Sequence, residues 1–149
     1  MTPSSNLIDI IKHFEGLFLH PYLCPAGVPT IGYGSTRYPN GTKVTMQDKP
    51  ITEGMAQTIL LATLQNYTDA VNRYVKVPLN QNQFDALVDF AYNVGNGAFL
   101  GSTLLKLLNL GNYKQASLEF NKWTHADGKV LEGLVKRRQA ETDLFKKVG

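Results

Sequence analysis

Residues 5–34 read SNLIDIIKHFEGLFLHPYLCPAGVPTIGYG, and two different periodicities meet inside that stretch. Up to Glu15 the pattern is helical. Leu7, Ile10, Ile11 and Phe14 fall at i, i+3, i+4 and i+7, with Ile8 widening the apolar stripe. Ser4 or Ser5 can cap the start, and Gly16 stands where a glycine stops a helix. Glu15 is therefore expected at, or next to, the last helical position. Beyond it, Pro21, Pro25, Gly27, Pro29, Gly32, Gly34, Pro39 and Gly41 exclude a helix through residues 17–48. The runs Leu17–Leu23, Val28–Tyr33 and Lys43–Met46 predict a small twisted antiparallel sheet of two or three strands, with Pro39-Asn40-Gly41 as a tight turn. A sheet that small is stable only when packed on helices.

Helical signals resume at Thr52, a plausible N-cap. Met55, Ile59, Ala62 and Tyr67 mark a helix to about Tyr74, ended by Pro78. Asn80 and Gln83 have capping-box spacing. Phe84, Leu87, Val88, Ala91 and Tyr92 then form a strongly apolar helix that stops near Asn93–Gly97. Further helices are predicted over 103–110, 114–123 and 131–147. The expected class is α+β with segregated parts. It has an N-terminal helix, a small sheet lobe over about 17–50, a connecting helix over about 52–75, and a C-terminal helical bundle. The helical lobe would combine residues 1–16 with about 75–149, all within one domain spanning 1–149. A cleft between the lobes is the natural place for a ligand.

The 149 residues are 43% hydrophobic and 18% charged, which excludes a disordered tail, a coiled coil and a collagen-like fibre. No apolar run approaches the ~18–20 residues of a membrane span. The N-terminal Met1–Asn6 lacks the features of a secretory signal. A single cysteine, Cys24, rules out an internal disulfide. Residues 114–149 hold eight Lys or Arg against five acids, and the other residues balance to zero. That excess suggests either a polyanionic partner, nucleic acid or an anionic cell envelope, or simply a solvated basic helix.

Three residues around the helix-to-sheet junction carry chemical potential. Glu15 leaves its helix on the apolar side, four residues after Ile11, and Gly16 lets its carboxyl group point past the helix end. A carboxyl group withdrawn from water holds its proton more tightly, as a general acid must. A negative charge at a helix C-terminus opposes the dipole, so a purely structural role explains it poorly. Cys24 reads either as a small buried hydrophobe or as a thiol facing Glu15. The Thr30 hydroxyl could hold a water. His13, His20 and His125 lack ligand spacing, so no metal and no cofactor is expected. Gly32-Tyr33-Gly34 opens no helix and is no phosphate loop.

Taken together, His13-Phe-Glu-Gly16, Tyr22-Leu-Cys-Pro-Ala-Gly27 and Thr30-Ile-Gly-Tyr-Gly34 resemble the catalytic segment of the bacteriophage lysozymes of glycoside hydrolase family 24. These are the endolysins of T-even and lambdoid phages. The family pattern of Glu, eight residues, Asp or Cys, five residues, Thr falls on Glu15, Cys24 and Thr30. Residues 83–95, 102–105, 120–123 and 133–141 also resemble the family, so the likeness extends over essentially the whole chain. It implies a lysozyme-like fold and hydrolysis of the β-1,4 bond between N-acetylmuramic acid and N-acetylglucosamine in peptidoglycan, with inversion at the anomeric carbon. Glu15 would be the general acid, with Cys24 and Thr30 handling the attacking water. Cys24 could act as a base, orient water as a neutral thiol, or form a covalent thioglycoside.

The resemblance also implies an arginine of the last helix holding the acid, Arg137 or Arg138. Arg137 is favoured by its spacing to Leu144-Phe145; a surface arginine on a basic face is the plain alternative. Two departures stand out: Ser35 occupies a position where many relatives place His, and Cys24 one where many place Asp. The expected partner is the peptidoglycan substrate, with no nucleic acid and no stable membrane insertion. The expected state is a monomer made in the host cytoplasm and released to the wall by a phage holin, without direct contact to it. The competing readings are a lytic transglycosylase and a non-catalytic envelope-binding or nucleic-acid-binding module. Phe120 and Trp123 read as core rather than as a sugar platform.

Overall fold

A computed structural model describes residues 1–147. The chain forms two compact units, one of residues 11–66 and one combining residues 1–10 with Tyr67 onward. Two helices contribute to both: α1 (Ser5–Glu15) and α2 (Glu53–Tyr74).

In the unit of residues 11–66, α1 ends at Glu15 because Gly16 turns left-handed, at φ +73°, and donates its N–H to Lys12 O at 3.1 Å. The strands β1 (Phe18–Leu23) and β2 (Pro29–Gly32) follow as an antiparallel pair. Phe18 faces Gly32 and Tyr22 faces Thr30, so a bulge takes up the extra residues of β1 between them. The sheet has two strands rather than three. The run beginning at Lys43 makes one isolated bridge, to Arg37, and does not join the sheet. The cause is local. Asp48 accepts the Thr45 N–H at 2.9 Å, the Thr45 hydroxyl at 2.6 Å and the Tyr38 hydroxyl at 2.6 Å, which folds residues 45–48 into a closed turn. Tyr38 is pushed up to about 12, first by burial and then by this bond to Asp48. Ile11, Ile31, Tyr33, Val44, Ile51, Ile59, Leu60 and Leu64 form the core of this unit. Ser35 is fully buried and shares a 2.9 Å hydrogen bond with Thr63, whose hydroxyl reaches Ile59 O at 3.0 Å. A serine is therefore satisfied at that position.

The second unit is built round α3 (Gln81–Val94). The expected capping box is present: Asn80 Oδ1 accepts the Gln83 N–H at 2.8 Å, and Gln83 Oε1 accepts the Asn80 N–H at 2.9 Å. Residues 84–91 of α3 are buried without a break, including Asp85 and Asp89, so the helix runs through the middle of the bundle rather than along its surface. Asp85 accepts the Ser4 N–H at 3.2 Å and the Ser4 hydroxyl, which ties the chain start to α3. Around α3 lie α4 (Asn96–Leu100), α5 (Thr103–Asn109), α6 (Tyr113–Glu119) with a short 3₁₀ turn at Phe120–Lys122, and α7 (Glu132–Lys146). The stop read near 93–97 is a single residue, Gly95 at φ +94°, beyond which α4 begins. Phe120 and Trp123 both meet the Phe90 ring edge-on at 5.4 Å, so they pack in the core as expected. A hairpin of β3 (His125–Ala126) and β4 (Lys129–Val130) precedes α7 and was not anticipated. Its turn residues, Asp127 and Gly128, both have positive φ, as a primed two-residue turn requires.

Candidate active site

The helix-to-sheet junction places Glu15, Cys24 and Thr30 within one compact unit. Glu15 is the final residue of α1 and is half-buried. Cys24 follows β1 and opens the turn Cys24-Pro25-Ala26-Gly27. Gly27 donates to Cys24 O at 2.8 Å, and Cys24 donates to Val28 O at 3.1 Å. The residues suit this geometry. Proline presets the φ of the second turn position, and Gly27 takes a φ of +77° without strain. The sulfur is thus held at the mouth of a rigid hairpin, half-exposed.

Its surroundings favour the thiolate. The backbone N–H of Val28 is the largest influence, and Ala26 N–H and the Thr30 hydroxyl add to it. Together they outweigh the opposing effect of burial and hold the Cys24 thiol below its ordinary range. Thr30 lies on β2 and is almost fully buried, at 2% exposed. Its Oγ1 donates to Val28 O at 2.8 Å. One hydroxyl proton cannot serve both that carbonyl and the thiolate at once.

Tyr22 is a member of this group that sequence reasoning missed. It is the cross-strand partner of Thr30, and its ring lies 4.2 Å from that of Phe18. Its phenol is pushed up, first by burial and then by the negative charges of Glu15 and Cys24. One hydroxyl therefore senses both the acid at the helix end and the sulfur on the hairpin. The available signal was the strand alternation that puts Tyr22 and Cys24 on the same face, two residues apart.

In the other unit, Arg137 and Arg138 are 4% and 0% exposed, which overturns the reading of either as a surface residue on a basic face. Arg137 donates from Nε to Asp89 Oδ2 at 3.0 Å and from Nη2 to Asp89 Oδ1 at 2.8 Å. Arg138 donates to Asn93 Oδ1 at 2.8 Å and to Glu141 Oε2 at 3.0 Å. Its guanidinium also lies over the Phe90 ring at 5.1 Å. Burial raises Asp89, but the hydrogen bond from Glu141 and the Arg137 charge outweigh it and hold the carboxyl below the usual range. Glu141 is pushed well above that range, by burial first and then by its bond to Asp89. Among the described residues there is no group of three or more His, Cys, Asp or Glu that could hold a metal ion. None of the described helices is long and apolar enough to cross a membrane.

The phage lysozyme family profile matches residues 12–141. The chain belongs to the phage lysozyme family. It is accordingly a glycoside hydrolase of the muramidase type, and its α+β architecture is that of the family. An endolysin from Acyrthosiphon pisum secondary endosymbiont phage 1 is 46% identical over 146 residues, which are 95% of this chain and 96% of the relative. An endolysin from Bacillus phage B103 is 45% identical over 145 residues, 97% of this chain; the match spans 54% of that longer protein, about half its length. Among solved structures, the endolysin from Escherichia coli O157:H7 phage FAHEc1 superposes with a TM-score of 0.89 at 41% identity, covering 98% of this chain and 94% of the other. Within this family the pattern of Glu15, Cys24 and Thr30 stands on an acid at a helix end and a hairpin whose turn carries a sulfur.

Proposed function

We propose that this lysozyme-family enzyme is an endolysin that hydrolyses the β-1,4 bond between N-acetylmuramic acid and N-acetylglucosamine in bacterial peptidoglycan, for host cell lysis. The observation that supports the reading is that α1 ends on Glu15 and is followed by the hairpin that carries Cys24 and Thr30, all within one compact unit. We read the two groups as an acid and a potential base that serve one site. Glycoside hydrolysis needs such a pair, one group to protonate the leaving oxygen and one to act from the opposite face of the sugar.

In the proposed mechanism Glu15 gives its proton to the glycosidic oxygen as the bond breaks. Cys24, with its thiolate favoured by the Val28 N–H, takes a proton from the attacking water. Thr30 accepts a hydrogen bond from that water and fixes its line of approach. Attack from the far face inverts the anomeric carbon. The family resemblance assigns Arg137, itself held by Asp89, a supporting role in the reaction. The protein is proposed to act as a single-domain monomer without metal or cofactor, with peptidoglycan as its partner rather than nucleic acid. It would be made in the host cytoplasm and released to the periplasmic wall through a phage holin, without touching it.

The test is lysis of outer-membrane-permeabilised Gram-negative cells by the parent and by Glu15→Gln, with mass analysis of the released muropeptides. Clearing by the parent alone, with water added across the cut bond, is the expected result. A 1,6-anhydro product would replace the hydrolase with a lytic transglycosylase. Equal clearing by the Gln variant would remove Glu15 from the acid role, and no clearing by either would leave an envelope-binding module.

A further inference from the structure

The turn that joins Cys24 to Thr30 has a second side. Within residues 11–66 a cavity of about 340 Å³ lies between Gly27, Val28 and Pro29 of that turn and Thr36, Arg37 and Lys43 opposite. Arg37 and Lys43 are paired in an isolated antiparallel bridge. Like charges placed directly across a bridge repel each other and cost stability. Among the described residues no ion pair offsets this. Arg37 Nη1 donates to Gly41 O at 2.9 Å, a neutral partner. The one carboxylate between residues 16 and 52, Asp48, is occupied by Thr45 and Tyr38. Both cations are exposed and neither forms an ion pair among the described residues. Two cations without an ion pair, both lining one cavity beside the turn that follows Cys24, make an anion-binding arrangement.

We propose that this cavity receives carboxylates of the peptide stem that branches from the muramic acid of the substrate. The proposal rests on the reading of peptidoglycan as the substrate and deepens it. Two carboxylates of that polymer have the right chemistry: those of the stem peptide, and the lactyl carboxylate that is free only where the stem is missing. The cavity favours the stem. At about 340 Å³ it is far larger than the ~10–15 Å³ that admits one water-sized group, and so larger than a lone carboxylate needs. Val28, Pro29 and Val44 give it an apolar lining that suits the aliphatic side chains of a short peptide.

The test compares two soluble substrates: peptide-bearing glycan strands, and the same strands stripped by an amidase so that only lactyl carboxylates remain. The variant is Arg37→Gln with Lys43→Gln, set beside Arg37→Lys with Lys43→Arg, which keeps both charges. The expected result is a KM on peptide-bearing strands about fivefold higher for the Gln variant, with kcat unchanged and the difference shrinking as salt rises. On stripped strands the Gln variant matches the parent, and the charge-keeping variant matches it on both. A melting temperature at or above that of the parent confirms that the Gln variant is folded. An equal KM rise on stripped strands would overturn the stem assignment, and an unchanged KM on both would overturn the site itself. If the parent cut neither substrate, the failure would lie in the hydrolase reading, and this inference would fall with it.

Discussion

Arg137 on α7 and Asp89 on α3 meet through two nearly parallel hydrogen bonds, at 3.0 and 2.8 Å, with side-chain exposures of 5% and 0%. A buried ion pair contributes little net stability relative to an apolar pair, because both charges lose their water. Removing one partner is different, since it strands the other charge. Arg137→Ala is expected to lower unfolding stability by about 3–5 kcal/mol. Arg137→Lys should fall between Ala and the parent, because an ammonium cannot reproduce the planar two-bond fork. Denaturant titration of the three proteins checks the order. An Ala variant within about 0.5 kcal/mol of the parent, the scale of an ordinary surface change, would show that the pair is not buried in solution.

The same cluster predicts how stability varies with pH. Glu141 is raised on folding, so its contribution is full below its unfolded value of about 4.3 and is lost as pH climbs toward its folded value. Asp89 is lowered, so its contribution is present above about 3.9 and is lost as pH falls through its folded value. Glu141→Gln removes the first dependence and alters the second, but the Asp89 dependence lies below about pH 4 and outside the range compared. Its melting temperature relative to the parent should therefore improve from pH 5 to pH 8. The gain should be of the order of 2–4 °C for each kcal/mol, as for domains of this size. A difference that stays flat with pH would mean that Glu141 is ionised in the folded protein throughout.

The junction was legible in the sequence because its causes are local. Gly16 ends α1 beside Glu15, and Pro25 and Gly27 shape the turn that presents Cys24. The long helix and the capping box at Asn80 were legible for the same reason. The buried partners of Arg137 and Arg138 were hidden. A stretch containing Lys136, Arg137 and Arg138 reads as solvated, and partners nearly fifty residues away, Asp89 and Asn93, together with Glu141 on the same helix, bring two of the three inside. The Asp127-Gly128 turn left a readable signal, but its flanking strands of two residues each are too short to show alternation. The absent third strand followed from a competition between a sheet edge and the Asp48 turn, which composition does not reveal.

Cys24 should behave as an activated thiol. With the Val28 N–H favouring its thiolate, alkylation by iodoacetamide at pH 7 is expected to be faster than for a small-molecule thiol of pKa about 8.5. Thr30→Val removes one hydroxyl and should slow that alkylation without unfolding the hairpin. If the thiolate is the base, lytic activity rises with pH through the thiol's titration. Cys24→Asp then shifts the rising limb to acid pH and keeps a substantial part of the rate, while Cys24→Ala loses most of it. A rate that falls as the thiol ionises would instead assign Cys24 to orienting water as the neutral form, and full activity in the Ala variant would remove it from the mechanism.

Tyr22 gives the sharpest separation between packing and chemistry at this junction. Its ring stacks beside Phe18 at 4.2 Å, while its hydroxyl lies in the field of Glu15 and Cys24. Tyr22→Phe keeps the ring contact and deletes only the hydroxyl. A hydrogen bond to a charged group contributes about 1.5–3 kcal/mol, so a hydroxyl that stabilises either anion during turnover should show as a fall in kcat of about tenfold or more. The same variant should leave KM and melting temperature near those of the parent. Tyr22→Leu also removes the ring and should lower stability or raise KM in addition. If Tyr22→Phe turned over as fast as the parent, the hydroxyl would be a bystander that senses the two charges without serving either. If Phe and Leu weakened KM alike while kcat held, the hydroxyl would belong to substrate binding rather than to bond cleavage.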